Sequence, residues 1–149
     1  MPSAPPASPV PSGRPAPSDV FRSAVDLLLA KDMEGFIALF TEDGVMEFPF
    51  APPDRPHEVV GTSALRGYLI DYPSRLDIRE IKDLRLHGTT DPGVVVAELT
   101  ATGFVTATGQ PYELRYVAVV TFRDGRIARY RDYWNPLAVQ ELLAGPVAS

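Results

Sequence analysis

An aspartate set among aromatics is the group in this sequence best placed to do chemistry. Within the six residues Arg129–Trp134, RYRDYW, two arginines and three aromatics surround Asp132. A carboxyl buried among Phe48, Tyr130 and Trp134 would lose the hydration that stabilises its charged form. Its pKa would rise, and it could exchange a proton near neutral pH. The competing reading is a structural acid, bonded to a tyrosine or a backbone amide or paired with an arginine, since such pairs also perturb carboxyls. Tyr68, Tyr72 and Tyr116 carry hydroxyls that can donate to a developing oxyanion or simply pack with a polar tip. Trp134 and Phe48 either stack a flat ligand or belong to the core. His57 lies in a proline-rich loop, where it can assist a proton transfer or sit on the surface. His87 follows Leu86 at a strand end and is expected to be exposed.

Composition removes other chemistries. The chain has no cysteine, which excludes disulfides, thiolate nucleophiles and the common structural zinc sites and fits a cytoplasmic location. Two histidines without ligand spacing give no expectation of a metal. No phosphate-binding glycine loop and no nucleophile elbow occur, so no cofactor is expected. Net charge is −5 with no basic stripe, which argues against nucleic acid. No apolar run is long enough to span a bilayer, so no membrane partner is expected.

The elements that must position Asp132 follow from periodicity. The 149 residues, 45% hydrophobic, suit one domain with a single core. Residues 1–17, rich in Pro, Ala and Ser, read as a disordered tail that cannot offset its ordering entropy. The folded domain is expected over 18–145, with 146–149 as a second tail. Ser18 or Asp19 can cap a helix with Val20, Phe21, Ala24, Val25, Leu28 and Leu29 at helical spacing. Asp32 can cap a short second helix carrying Phe36, Ile37, Leu39 and Phe40. The string TEDG (41–44) reads as a turn and Val45–Phe50 as a short strand, with Met46 and Phe48 on one side. After the proline-rich loop 49–61, Thr62 or Ser63 can cap a third helix that Pro73 stops.

The pattern then changes to period two, with strand candidates Leu76–Leu86, Val94–Thr106, Tyr112–Phe122 and Arg126–Trp134. Asp124-Gly125 is a tight hairpin signal. Asn135 can cap a closing helix with Pro136 at its first position and Leu137, Val139, Leu142 and Leu143 on its apolar side, ended by Gly145-Pro146. Helices first and an antiparallel meander after them predict an α+β fold: a curved, cone-shaped antiparallel sheet wrapped around N-terminal helices, with a short closing C-terminal helix. Along its last strand Tyr130, Asp132 and Trp134 share one side, and Arg129, Arg131 and Tyr133 the other.

Three strings, AVDLLLAKDMEGFIALFTEDGVMEFPFAPP, GTSALRGYL and VTFRDGRIARYRDYWNP, together with this element order, resemble the nuclear transport factor 2-like superfamily and its SnoaL-like branch. The resemblance implies that the Asp132 side faces an internal pocket. Leu114, Tyr116, Ala118 and Val120 then also point inward, beside Leu99 and Ala101. The superfamily commonly dimerises through the outer sheet face. Val117, Val119 and Thr121 lie there, so a homodimer is expected. In this fold the loop with His57 can border the pocket mouth.

Ketosteroid isomerases are similar in layout, but their strand aspartate, helix tyrosine and later aspartate fall at Phe48, Ala24 and Val120 or Ala118. Limonene epoxide hydrolase is similar near the C-terminus. Its water-holding pair falls at Met46 and Phe48, and its Asp–Arg–Asp relay at Leu99, Ala101 and Asp132. Phenazine biosynthesis protein A/B resembles RDYWNP (131–136) with a glutamate acid/base at the place of Asp132 and a histidine at the place of Tyr68. The resemblance thus implies a small-molecule enzyme of SnoaL-like type, such as a polyketide cyclase or isomerase of secondary metabolism. Asp132 and Tyr68 would be catalytic. Phe48, Met46, Leu99, Ala101, Tyr116, Ala118, Val120, Tyr130, Trp134 and His57 would line the ligand site. A non-catalytic binding or assembly protein, or an epoxide hydrolase with an altered relay, are the alternatives.

Overall fold

The computed structural model describes residues 15–144. The expectations for the tails, for Gly145-Pro146 and for the Leu143 side chain fall largely or wholly outside the described residues. Helix α1 (Pro17–Leu29) is followed by α2 (Met33–Ala38), β1 (Phe40–Glu47), β2 (Glu58–Val60), α3 (Thr62–Leu69) and α4 (Tyr72–Arg75). Four long strands follow: β3 (Leu76–Gly88), β4 (Val94–Val105), β5 (Pro111–Arg123) and β6 (Arg126–Trp134). Helix α5 (Pro136–Ala144) closes the fold.

The six strands form one curved, unclosed sheet in the order β2-β1-β6-β5-β4-β3. The meander β3 to β6 is antiparallel throughout. Strand β1 joins it alongside β6 in parallel, pairing Met46 with Tyr130 and Glu47 with Arg131. The β5–β6 hairpin turns on Asp124 and Gly125, both at positive φ (53° and 79°), which the primed two-residue turns require.

Several boundaries differ from expectation for local reasons. Helix α1 starts at Pro17 with Ala16 at its N-cap and no side-chain cap, so Ser18 and Asp19 already lie in the first turn. Asp32 does cap α2, accepting from the Gly35 amide. TEDG is not a turn but an irregularity inside β1. The register against β6 shifts between Phe40 and Val45, and Thr41 donates to Asp43 as it would in a turn while the strand continues. The loop after β1 contains β2, three residues antiparallel to β1. Helix α3 is capped by Gly61 at φ 86°, a conformation open to glycine, rather than by Thr62 or Ser63. Pro73 does not stop α3, which ends at Leu69; it lies in the first turn of α4. Asn135 caps α5, its Oδ1 accepting from the Leu137 amide at 2.9 Å. Val139 and Leu142 face inward as expected, joined by Ala138, whereas Leu137 is exposed.

The concave face of the sheet and helices α1 to α3 bury the larger core cluster, in which Phe21, Phe40, Leu65, Ile127 and Val120 are essentially inaccessible. Each such side chain contributes about 1.5–3 kcal/mol by leaving water. A smaller cluster, Ile78, Ala101, Tyr112 and Leu114, packs under α5. Tyr72, Tyr116 and Trp134 pack against both clusters. The junction between the two cores thus holds three aromatics, two of them with hydroxyls, together with Leu28 and Ile81, and the Asp132 charge acts on both tyrosines.

Candidate functional site

Pairing register sets the surroundings of Asp132. On β5 its partner is Ala118, whose own partner on β4 is Ala97. Both alanines are fully buried. On the β5 side no bulky side chain therefore stands beside the carboxyl, while on the other side the β1 register brings Phe48 next to it. The neighbouring rows are large: Leu99, Tyr116 and Trp134 on one side, and Val95, Val120, Tyr130 and Met46 on the other. These rows lie two residues along the strand from Asp132, about 7 Å to either side on the same face.

The carboxyl lies deep within the protein and makes no hydrogen bond or ion pair to any described residue. Yet Asp132 keeps some accessible surface, as do Tyr68, Tyr72, Tyr116, Tyr130 and Trp134. Burial alone pushes the Asp132 carboxyl from its usual range up to about 7. No nearby cation counters this and no like charge adds to it.

Five tyrosines feel that carboxyl. Burial raises the pKa of Tyr68, Tyr72, Tyr112, Tyr116 and Tyr130, and the Asp132 charge adds to each. The Tyr112 and Tyr116 hydroxyls are hydrogen bonded to one another, and Tyr72 packs against the same cluster. Tyr112 is pushed to about 12. All five phenols are thus neutral donors at physiological pH. The Tyr68 ring lies 5.2 Å from that of Phe48, and the Tyr130 ring packs among Phe21, Phe36 and Phe40.

The structure brings Asp132, Tyr68, Phe48, Met46, Leu99, Tyr116, Ala118, Val120, Tyr130 and Trp134 to the concave side. Ala101 joins the adjoining smaller cluster. His57 stands apart. It is exposed, with its Nε2 3.1 Å from the Pro52 carbonyl oxygen. His87 is exposed and pairs with Glu98 at 2.7 Å. Tyr112 was not among the expected site residues although it shares parity with Leu114 and Tyr116. Period two alone would place it inward.

The opposite side of β6 behaves differently. Arg129 pairs with Glu47, and Tyr133 meets Phe50 edge-on at 5.3 Å. A groove of about 710 Å³ opens beside this face, lined by Phe50, Arg85, Glu98, Arg115, Val117 and Tyr133 and reaching Leu99, Tyr116 and Trp134. Among the described residues no three His, Asp or Glu side chains come together to hold a metal ion, and no helix is long and apolar enough to cross a membrane.

A curved, unclosed six-stranded sheet of this order folded over helices is the nuclear transport factor 2-like fold. A family model, the SnoaL-like domain, matches residues 21–130, and the chain belongs to that family. The Bacillus subtilis protein YesE, itself uncharacterised, is 39% identical over 127 residues, spanning 85% of this chain and 86% of the relative. An uncharacterised PhzA/B-like protein of Pseudomonas aeruginosa is 33% identical over 131 residues, 88% of this chain and 92% of that one. A crystal structure from Bacillus subtilis, provisionally named an isomerase, superposes with TM-score 0.82 at 38% identity, covering 87% of this chain and 93% of that one.

Proposed function

We propose that the cone binds a small, largely apolar or aromatic molecule, such as an intermediate of secondary metabolism, and that Asp132 moves a proton on it in an isomerisation, cyclisation or condensation. The observation that carries this is a single unpartnered carboxyl, raised to about 7 by burial, facing an aromatic interior. An acid that is half protonated near neutrality serves equally as proton donor and acceptor. Tyr68, Tyr72 and Tyr116 add neutral donors for an oxygen that gains charge during the reaction. The provisional name of the Bacillus subtilis structure, an isomerase, points the same way.

The test is hydrogen–deuterium exchange at the α-carbon of apolar ketones, 2-tetralone and 2-indanone, followed by proton NMR. Asp132→Asn is expected to slow enzyme-dependent exchange by about 10²-fold or more. An undiminished rate in a folded variant removes the mechanism.

A second reading is a binding protein without chemistry. It is favoured by the lack of any second carboxylate or histidine acting on Asp132. Ligand held tightly without turnover would establish it. An epoxide hydrolase with an altered relay fits less well. The relay places Leu99 and Ala101 are buried and apolar, so only tyrosine hydroxyls stand ready to polarise an epoxide oxygen.

We also propose a homodimer through the convex face. Phe50 and Val117 are exposed there beside Arg85, Arg115, Glu98 and Asp83, a mixed-charge surface that can complement itself across a two-fold axis. Sedimentation of Val117→Glu should give a monomer. A wild-type monomer at the same concentration would refute the assembly.

A further inference from the structure

Tyr112 and Tyr116 share the inner side of β5, with Leu114 between them. On a strand that spacing is about 13 Å, so the two rings lean toward each other for their hydroxyls to meet. The ends of this hydrogen bond stand in different surroundings. Tyr112 is 4% exposed and belongs to the smaller core under α5, where Ile78, Ala101, Leu114, Val139 and Leu142 are apolar. Tyr116 is half-buried and packs against both cores. Its partner on β6 is Trp134, which puts it diagonally beside Asp132 on the same face. The Asp132 carboxyl accepts no hydrogen bond from it.

Either hydroxyl can be the donor in this bond. A phenol has one proton to give, so the direction of the bond decides what Tyr116 has left to offer. If Tyr112 donates, the Tyr116 proton is free for an acceptor in the cone. If Tyr116 donates, its proton is taken up by Tyr112, and the proton of Tyr112 must turn back into a mostly apolar core. Burying an unsatisfied donor is unfavourable, so the first direction wins when the cone holds an acceptor oxygen.

We infer that Tyr112 is a positioning residue: it donates to the Tyr116 oxygen and turns the Tyr116 proton into the cone, onto a carbonyl oxygen of the ligand. The inference rests on the cone being the ligand site. It singles out one donor among the tyrosines there and gives the ligand class, an apolar or aromatic ketone. Accepting from Tyr112 also polarises the Tyr116 O–H and strengthens its bond to the ligand by about 10–30%. That bond matters most while Asp132 takes the proton from the carbon beside the carbonyl. The C–H electron pair then becomes the new C=C bond, and the carbonyl pair moves onto the oxygen that Tyr116 holds. Tyr112 touches neither the ligand nor the reacting atoms and acts only through Tyr116.

The probe is 2-indanone labelled with carbon-13 at its carbonyl. Infrared difference spectra read the hydrogen bond through the lowering of the C=O stretch between cyclohexane and the protein. Wild type should lower the stretch, Tyr116→Phe should abolish most of the lowering, and Tyr112→Phe should reduce it by about 10–30%. In the exchange assay kcat of Tyr112→Phe should fall about threefold to tenfold with KM unchanged. A packing role for Tyr112 would weaken stability or binding but leave the stretch of the bound ketone as in wild type, and that result overturns the relay. Wild type gives a second reading that needs no variant. The Tyr112 and Tyr116 hydroxyl protons, assigned through contacts to their ring protons in NMR spectra, should both move downfield when 2-indanone binds. Movement of the Tyr116 proton alone would also overturn the relay. If the stretch is lowered as described yet no exchange occurs, the relay stands and the Asp132 chemistry falls. If 2-indanone does not bind wild type, the cone reading falls and the relay with it.

Discussion

Replacing Asp132 by asparagine should make the protein more stable in alkali, the reverse of what removing a paired acid does. The folded carboxyl titrates at about 7. In the unfolded chain it titrates at about 3.9. Between those values the folded protein holds a proton that the unfolded chain has released. Stability therefore falls as pH rises through this window: the contribution is complete below about pH 4 and gone above about pH 7. A gap of about three pH units at about 1.4 kcal/mol each sets a ceiling of about 4 kcal/mol.

Asparagine resembles the protonated acid in shape and carries no titratable group. Wild type and Asp132→Asn should thus unfold alike in urea at about pH 4, and the variant should be about 2–4 kcal/mol more stable at about pH 8. Glu34, Asp43 and Asp77, held low by Arg66, Arg123 and Lys31 respectively, are common to both proteins and cancel in the difference. Parallel pH profiles for the two proteins, or a variant less stable at pH 8, would refute the claim that Asp132 is buried without a partner.

Other outcomes follow from the same geometry. Gly103→Ala would put a Cβ 1.9 Å from the Asp77 carbonyl oxygen across the β3–β4 pair. Backbone must move, so a loss of about 1–3 kcal/mol or more should appear in thermal melts. Tyr116→Phe leaves the Tyr112 hydroxyl short of a partner and should cost about 1 kcal/mol in urea unfolding. It should move the Asp132 midpoint by less than about one unit, because burial and not the phenols raises that carboxyl. Asp43→Asn removes an exposed pair with Arg123 and should change stability by less than about 1 kcal/mol in the same assay.

The meander was legible because β5 and the first half of β4 alternate and Asp124-Gly125 admits one tight hairpin. Strand β2 was not, because three residues in a proline-rich loop are too few to show a period. The polar string TEDG concealed the start of β1, since a bulge and a turn draw on the same residue types. Periodicity put Tyr130, Asp132 and Trp134 on one side of β6 but did not choose the inward side, as each side mixes charge with aromatics. Family resemblance supplied that choice. Pairing of Ala118 with Asp132 and the Glu47–Arg129 contact on the far side agree with it. The tyrosine hydroxyl cluster was beyond reach of the sequence, because Tyr72 on α4 meets Tyr112 and Tyr116 only through tertiary packing.

The central claim is that Asp132 is a proton-sharing acid at the floor of an aromatic cone. A carbon-13 NMR titration of its side-chain carboxyl in the folded protein, assigned with Asp132→Asn, tests this most directly. The structure predicts a midpoint near 7. A midpoint near 4, the value of a hydrated or paired aspartate, would contradict it.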